Sequence, residues 1–517
     1  MGGNHIRSVF FVLSCPQIDS ARILGVFPTP SISHQIVFRA LYSELVKRGH
    51  ELVVITTDPI YRNKTAPENL TEIDIGFFYE MMTDRSGPMW KSLKRGVIME
   101  AKDWMFVEPN RYLQENAKLL NSTEVSELIK DKNNKFDLIL FEPLTYLPLV
   151  LSHVFKAPAI MISSLYGLPE NFANVGAVSR HPILYPHILR DKYNNLNLFE
   201  KIYEMHKEYE FYKLDLRLEK EIDNYLRQQF GSVPPLRELK KYVQLFFVNS
   251  HPLFDGNRPV PPGVVYLGGM HLQPMKALPE DLNTFLENSK RGVIYVSFGT
   301  NVRTKDMYSE MVNALLDAFK ALPYDILWKF DTDLDIIPKN VKIQKWFPQR
   351  DLLGHPNIKL FITQGGRQST DEAIDAGVPL VGIPFCADQW YSVEKYVKLG
   401  IGVKVNALTI TASDVIKAAK TVLSDESYKK NIRELSQIIK DQKETPIERA
   451  VWWTEYVLRH KKSRHLLSPA ADMTWSEYLM ADVVIVLAII LFIVSLIALL
   501  SPPRPTLIHE IVSDPPM

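Results

Sequence analysis

Cysteine is nearly absent: Cys15 and Cys386 are the only two in 517 residues. The first lies in a segment that reads as a removable leader, so no disulfide framework is expected and the fold must stand on its packing. No Cys/His cluster has metal-ligand spacing, and no metal is predicted. An excess of charge is missing too. Lysine and arginine number 60 against 59 acidic residues, a formal net charge of +1, which gives no basic patch for a nucleic acid. The first strand is not followed by Gly-x-Gly-x-x-Gly. Gly25-Val26-Phe27-Pro28 stands there instead, which speaks against a dinucleotide-dependent oxidoreductase.

One long apolar run is present, from Val483 to Leu500, with only Ser495 interrupting it. As a helix it is about 27 Å long, enough to span the hydrocarbon of a bilayer. Trp475 and Tyr478 precede it like interfacial anchors. At the other end Arg7 stands before a short apolar run, Val9 to Cys15, with Ser20 and Ala21 near a cut site, the pattern of a secretory leader. The division expected is therefore a signal peptide at 1–20, two domains at 21–255 and 256–465, a juxtamembrane segment at 466–482, a span at 483–500 and a short cytoplasmic tail at 501–517. Positive charge alone would hold the main body in the cytosol, since Lys461, Lys462 and Arg464 precede the span and only Arg504 follows it. A cleaved leader overrides that bias. The sequons at Asn63, Asn69 and Asn121 agree with a lumenal, glycosylated body.

Between those ends the chain alternates strands and helices. Arg22 to Phe27 reads as a strand, Thr29 to Ser33 as a loop and Gln35 to Arg48 as a helix. Gly49 ends that helix, and Glu51 to Thr56 reads as the next strand. Phe136 to Leu140 and Ala159 to Ile162 are further strands, and Leu198 to Phe230 is periodic and charged, as long helices are. After the proline-rich stretch Arg258 to Gly263, strands follow at Gly292 to Phe298, Asp325 to Phe330, Lys359 to Thr363 and Pro379 to Ile383. The fold class expected is α/β, with two doubly wound, Rossmann-like domains facing a cleft.

The segment from Trp346 to Gln389 carries the most chemistry. Phe361-Ile362-Thr363 is a short strand, Gly365-Gly366 lets the backbone turn sharply, and Ser369 onward reads as a helix. A glycine turn into a helix N-terminus presents open N–H groups and a positive dipole end, which suit a diphosphate. Trp346 offers a face to a base, Glu372 suits ribose hydroxyls, and Asp388-Gln389 suits a sugar. In order and spacing this segment resembles the signature of the UDP-glycosyltransferases of glycosyltransferase family 1. Gln364-Gly365-Gly366, in place of the usual His-Gly-Gly, with Gln368-Ser369-Thr370-Asp371-Glu372 following, is similar to the insect membrane-bound branch and to the baculoviral ecdysteroid transferases. The resemblance implies a GT-B fold and an endoplasmic-reticulum enzyme of type I topology with its catalytic domains in the lumen. It also implies that Trp346 stacks on uracil with Gln349 assisting, that Glu372 binds ribose, and that Asp388 and Gln389 hold the sugar. Ser297, Thr300, Gln364, Gly365, Gly366, Gln368 and Ser369 complete the donor set. A neutral Gln364 amide donates a hydrogen bond to the diphosphate but carries no charge.

The catalytic expectation rests on His34, where a loop meets a helix N-terminus at the carboxyl end of the first strand. A helix N-terminus disfavours the imidazolium and leaves a neutral ring able to accept a proton. Ser33-His34-Gln35 matches the position of the family's catalytic histidine, and Glu142, one methylene longer than the family's usual aspartate, is the expected partner. The reaction expected is a single inverting displacement that transfers a hexose, with glucose favoured, from the UDP-sugar to a hydroxyl of a small lipophilic acceptor, as in detoxification or in hormone or pigment conjugation. The UDP-sugar is a co-substrate, and no cofactor is called for. The partners expected are UDP-glucose, a lipophilic acceptor, the lipid bilayer and a second copy of the chain in a homo-oligomer. The alternative is a catalytically weak relative that binds lipophiles or escorts a partner, with Gln364 and Glu142 as marks of decay.

Overall fold

Short apolar runs bounded by turn residues become parallel strands, and the amphipathic segments between them become the helices that cover both faces. The computed structural model describes residues 20–83, 109–461 and 463–501. Apart from Ser20 and Ser501, the expected leader and tail lie outside the described residues, as does Lys462. The first sheet has seven strands: β1 Arg22–Phe27, β2 Glu51–Thr56, β3 Leu70–Asp74, β4 Leu138–Phe141, β5 Ala159–Ser163, β6 Val243–Val248 and β7 Val264–Tyr266. The second has six: β8 Val293–Ser297, β9 Asp325–Lys329, β10 Val341–Gln344, β11 Ile358–Thr363, β12 Leu380–Gly382 and β13 Gly402–Lys404. Every pairing in both sheets is parallel.

Both sheets follow one scheme. Their orders are β3-β2-β1-β4-β5-β6-β7 and β10-β9-β8-β11-β12-β13, so the direction of travel reverses between β1 and β4 and again between β8 and β11. At such a reversal the connections leave toward opposite faces, and a crevice opens at the carboxyl ends of the strands. Register fixes what stands there. Val26 pairs with Phe141, and Thr363 pairs with Ser297, so the residues that follow each pair emerge side by side.

The helix α1, Ile32–Lys47, buries Val37, Phe38, Leu41 and Leu45 on the first sheet and ends where Gly49 adopts φ +92°. The charged stretch read as long helices is one helix, α2, Leu198–Phe230, of 33 residues. A capping box between Asn197 and Glu200 opens it, and Gly231 at φ +68° closes it. In the second half α3, Arg367–Ala376, follows β11, and α4, Gln389–Lys398, follows β12.

The first layer takes in more of the chain than residues 21–255. The proline-rich stretch leads into β7, the edge strand of the first sheet. Later α5, Pro446–His460, crosses back to cover that sheet. Its Ala450, Val451, Val457 and Leu458 join Val37, Phe38, Leu41 and Leu45 of α1 in one apolar cluster, and Arg48 grips Glu455 with two bonds of 2.6 and 3.1 Å. Thr445 and Glu448 form the capping box that starts α5, ahead of Pro446 at its first turn. The amphipathic pattern of α5 shows that one face is buried, but not which sheet it is buried against.

Residues from Pro469 form a separate unit. Its main element is α6, Ala481–Leu500, with mean hydropathy 3.5 over its most apolar window and none of that window buried. Twenty residues rise about 30 Å, so length and composition suit a bilayer span.

Docking of α5 is expected to hold the first half together. Val451→Asp places an unpaired carboxylate in that apolar cluster, at an expected cost of about 3–5 kcal/mol. The midpoint of unfolding of the detergent-solubilised protein should fall sharply; an unchanged midpoint would contradict the role given to α5.

Candidate functional site

The loop between β1 and α1 is held by Gln35. Its amide nitrogen donates to the carbonyls of Phe27 and Thr29, both at 2.9 Å, and its oxygen accepts from Thr56 Oγ1 at 2.8 Å. This fixes the first turn of α1 and with it His34, one residue earlier. The imidazole lies at the first crevice beside Glu142, which directly follows β4. Nδ1 of His34 is 2.7 Å from Oε1 of Glu142. The carboxylate is 1% exposed and the histidine 9%. The extra methylene of a glutamate does not prevent the pairing.

A third group completes the cluster. Ser164, the residue after β5, places its Oγ 2.7 Å from His34 Nδ1 and 2.9 Å from Glu142 Oε1. An ionised carboxylate only accepts, so the proton between it and the imidazole belongs on Nδ1. Nε2 then carries a lone pair.

The second crevice faces α3. Gly365 adopts φ +93°, and a Cβ there would sit 2.7 Å from Val393 and 3.0 Å from the Gln389 carbonyl. Gly366 is the N-cap of α3, and a Cβ on it would lie 2.9 Å from Gln364 Nε2. Position 365 therefore requires glycine, and the first-turn N–H groups of α3 lack helical partners. Gln364 accepts from Thr363 Oγ1 at 3.1 Å, and its amide nitrogen packs against Gly299 in the loop after β8. Ser297 and Thr300 flank that glycine. Lys329 donates to the Gly299 carbonyl at 3.0 Å and holds its ammonium 5.9 Å from the ring centre of Trp346. That indole is 62% exposed, an open platform at the rim.

Several residues assigned to the donor are also bonded to one another. Gln349 donates to Ser369 Oγ at 2.9 Å and to Glu372 Oε2 at 2.6 Å, and accepts from Tyr295 at 3.1 Å. Gln389 uses its amide oxygen to accept the backbone N–H groups of Phe385 and Cys386, at 2.8 and 3.0 Å. Gln368 donates across the cleft to the carbonyl of Ser164 at 2.9 Å. Asp388, at the start of α4, is buried with Oδ2 lacking a hydrogen-bond partner. Burial pushes its pKa up to about 6, while the facing His34 pulls it down. Burial also raises Glu372 to about 7, against the bond from Gln349 and the charge of Arg350.

Sequence reasoning missed Ser164, Asn249, Asn301 and Arg367. Asn301 bonds Ser31 across the cleft at 3.1 Å, and Arg367, fully buried, donates to the Asn249 carbonyl at 3.1 Å and pairs with Asp371. Arg367 stands inside the motif itself, and its place at the helix start was the available signal. Of the three sequons, Asn63 and Asn121 are exposed, while Asn69 commits its amide nitrogen to the carbonyls of Val46 and His50, at 2.9 and 2.8 Å.

A family model described as UDP-glucoronosyl and UDP-glucosyl transferase matches residues 22–501. The chain belongs to this family. The ecdysteroid UDP-glucosyltransferase of Spodoptera littoralis nuclear polyhedrosis virus is 42% identical over 495 residues, covering 92% of this chain and 95% of the relative. UDP-glucosyltransferase 2 of Dactylopius coccus is 31% identical over 485 residues, covering 93% and 92%. Among solved structures the calicheamicin glycosyltransferase CalG4 matches with a TM-score of 0.57 over 86% of this chain and 99% of that one. At 18% identity that likeness speaks for the GT-B fold alone. The chain is thus a glycosyltransferase that uses a UDP-sugar donor and a small acceptor, built from two Rossmann-like halves.

The Glu372 carboxyl supplies a test in the ligand-free enzyme. It holds its proton up to about pH 7 when folded but only to about 4.5 when unfolded. Between those values the folded state binds the extra proton, so this group's contribution to stability is lost as pH rises. Thermal midpoints of wild type and Glu372→Gln, followed from about pH 5 to about pH 8, should diverge, with the wild type falling relative to the variant. Parallel curves would contradict the assignment.

Proposed function

We propose that this UDP-glycosyltransferase transfers glucose, with inversion, to a hydroxyl of a small lipophilic acceptor, and that His34 is the general base. The observation that carries the reading is the 2.7 Å pairing of His34 with buried Glu142 at one crevice, opposite the glycine turn of α3 at the other. The acceptor hydroxyl gives its proton to Nε2 of His34. Its oxygen forms a bond to the anomeric carbon as the bond to the diphosphate breaks, and that electron pair leaves with UDP. The imidazolium is offset by the Glu142 carboxylate, as in other carboxylate-oriented histidine bases. Charge developing on the diphosphate meets the first-turn N–H groups of α3, the Ser369 hydroxyl and the loop Ser297 to Thr300.

The remaining assignments rest on the resemblance of the motif to the family signature. Trp346 stacks on uracil with Gln349 beside it. Glu372 accepts from the ribose hydroxyls, a role that favours its ionised form. Asp388, with its unpartnered Oδ2, and Gln389 hold the sugar. The names of the viral and insect relatives support glucose as the sugar, and the viral names support an ecdysteroid, a polyhydroxylated steroid, as acceptor. The apolar α6, with the leader pattern of the sequence, supports a single-pass protein of the endoplasmic reticulum whose catalytic halves lie in the lumen.

Membranes containing the full chain, given labelled UDP-glucose and a panel of ecdysteroids and phenols, test this directly. Wild type should form glucoside, and His34→Ala should lose about 10²–10⁴-fold in kcat while still binding UDP-glucose. Unchanged turnover in His34→Ala would remove the base from the reading.

A further inference from the structure

Ser164 joins two regions of the molecule that the reaction must bring together. Its side chain touches the base pair: Oγ is 2.7 Å from His34 Nδ1 and 2.9 Å from Glu142 Oε1. Its backbone touches the donor half: the carbonyl accepts from Gln368 Nε2 at 2.9 Å, and Gln368 is the second residue of α3. Asn249, which follows β6, donates to the same carbonyl at 2.8 Å, while its own carbonyl accepts from Arg367, the first residue of α3. Ser164 is 1% exposed, so no solvent competes for these bonds.

Proton bookkeeping decides what the hydroxyl does. Oε1 of an ionised Glu142 can only accept, and Nδ1 carries the proton aimed at it. The serine proton has Oε1 as its acceptor, since Nδ1 has no lone pair in this tautomer. Oε1 therefore takes two donors, while the buried Oε2 has none. A flexible glutamate side chain is thereby turned so that one oxygen faces the imidazole.

We infer that Ser164 is a positioning residue that aims the Glu142 carboxylate at His34 and ties that aim to the first turn of the donor-side helix through Gln368. This inference rests on the base assignment above. A displacement of α3 would carry the Ser164 carbonyl with Gln368 and move the hydroxyl relative to the carboxylate. Among the described residues Asp388, at the start of α4, also acts electrostatically on the imidazole and is unchanged in each of the variants below.

The test is the pH profile of kcat/KM, with the Kd for UDP-glucose, in full-length enzyme in membranes. Ser164→Ala removes one donor to the carboxylate and leaves the backbone carbonyl, so donor binding should stay within about twofold while kcat falls about tenfold. With the carboxylate no longer held toward the imidazole, it stabilises the imidazolium less. The acid limb should therefore move to lower pH. Ser164→Cys, which keeps bulk but donates weakly, should show the same direction and serves if the alanine variant does not fold. Gln368→Ala should lower kcat less in the Ser164→Ala background than in wild type, because no hydroxyl is left to misplace. Equal losses in the two backgrounds would overturn the tie to α3. If His34→Ala is inactive but the Ser164 variants keep the wild-type rate and pH profile, the positioning role fails and the base stands. If His34→Ala is fully active, both fall.

Discussion

The bond between Nδ1 of His34 and the carboxylate of Glu142 is the contact on which the proposed chemistry of this enzyme turns. It orients the ring, fixes the tautomer and places a compensating charge beside the imidazolium that a proton transfer creates. Neither residue is near the other in sequence. They meet because β1 and β4 lie side by side in register, with Val26 against Phe141, and because both strands end at the reversal of the sheet. The proposed base is thus a product of topology before it is a product of any motif.

The second half repeats the construction for a different purpose. Its reversal brings the ends of β8 and β11 together, and the side chains there are small or absent: Ser297, Gly299, Gly365, Gly366. One crevice holds the proposed base, the other the proposed diphosphate cradle. Contacts between the halves run through Ser31 and Asn301, Ser164 and Gln368, and Asn249 and Arg367, and most of these belong to turns that also carry site residues. Other contacts join the halves away from these turns, among them Tyr193 donating to the Tyr391 carbonyl and one apolar cluster that takes in Ile188, Leu189 and Phe254 with Tyr391 and Val393.

Much of this was legible from the residues. β1 and β2 fall where the apolar runs and Gly49 place them, because buried parallel strands leave a continuous apolar signal. The glycine turn before α3 and the family signature are equally plain. What escaped was set by distance in space. Val243 to Val248 contains a strand that carries Asn249 to the interface, yet it follows a helical stretch without a turn motif to announce it. Ser164 reads as an ordinary serine after a strand until β5 is seen beside β4. The side of the molecule that α5 covers is invisible in its periodicity, which reports a buried face without naming the neighbour. The donor motif likewise gave residue types without their bonds, so the links of Gln349 to Glu372 and of Gln368 to Ser164 appear only in three dimensions.

The measurement that bears most directly on this account is the turnover of Glu142→Gln. An amide of nearly the same shape can turn its N–H₂ group toward Nδ1, which leaves that nitrogen as the acceptor and moves the ring proton to Nε2, where the base must act. The account predicts a fall in kcat of about 10²–10⁴-fold with UDP-glucose affinity unchanged. A Glu142→Gln enzyme that turned over like the wild type would show that the carboxylate does not set the state of His34, and the central pairing would then be a structural contact only.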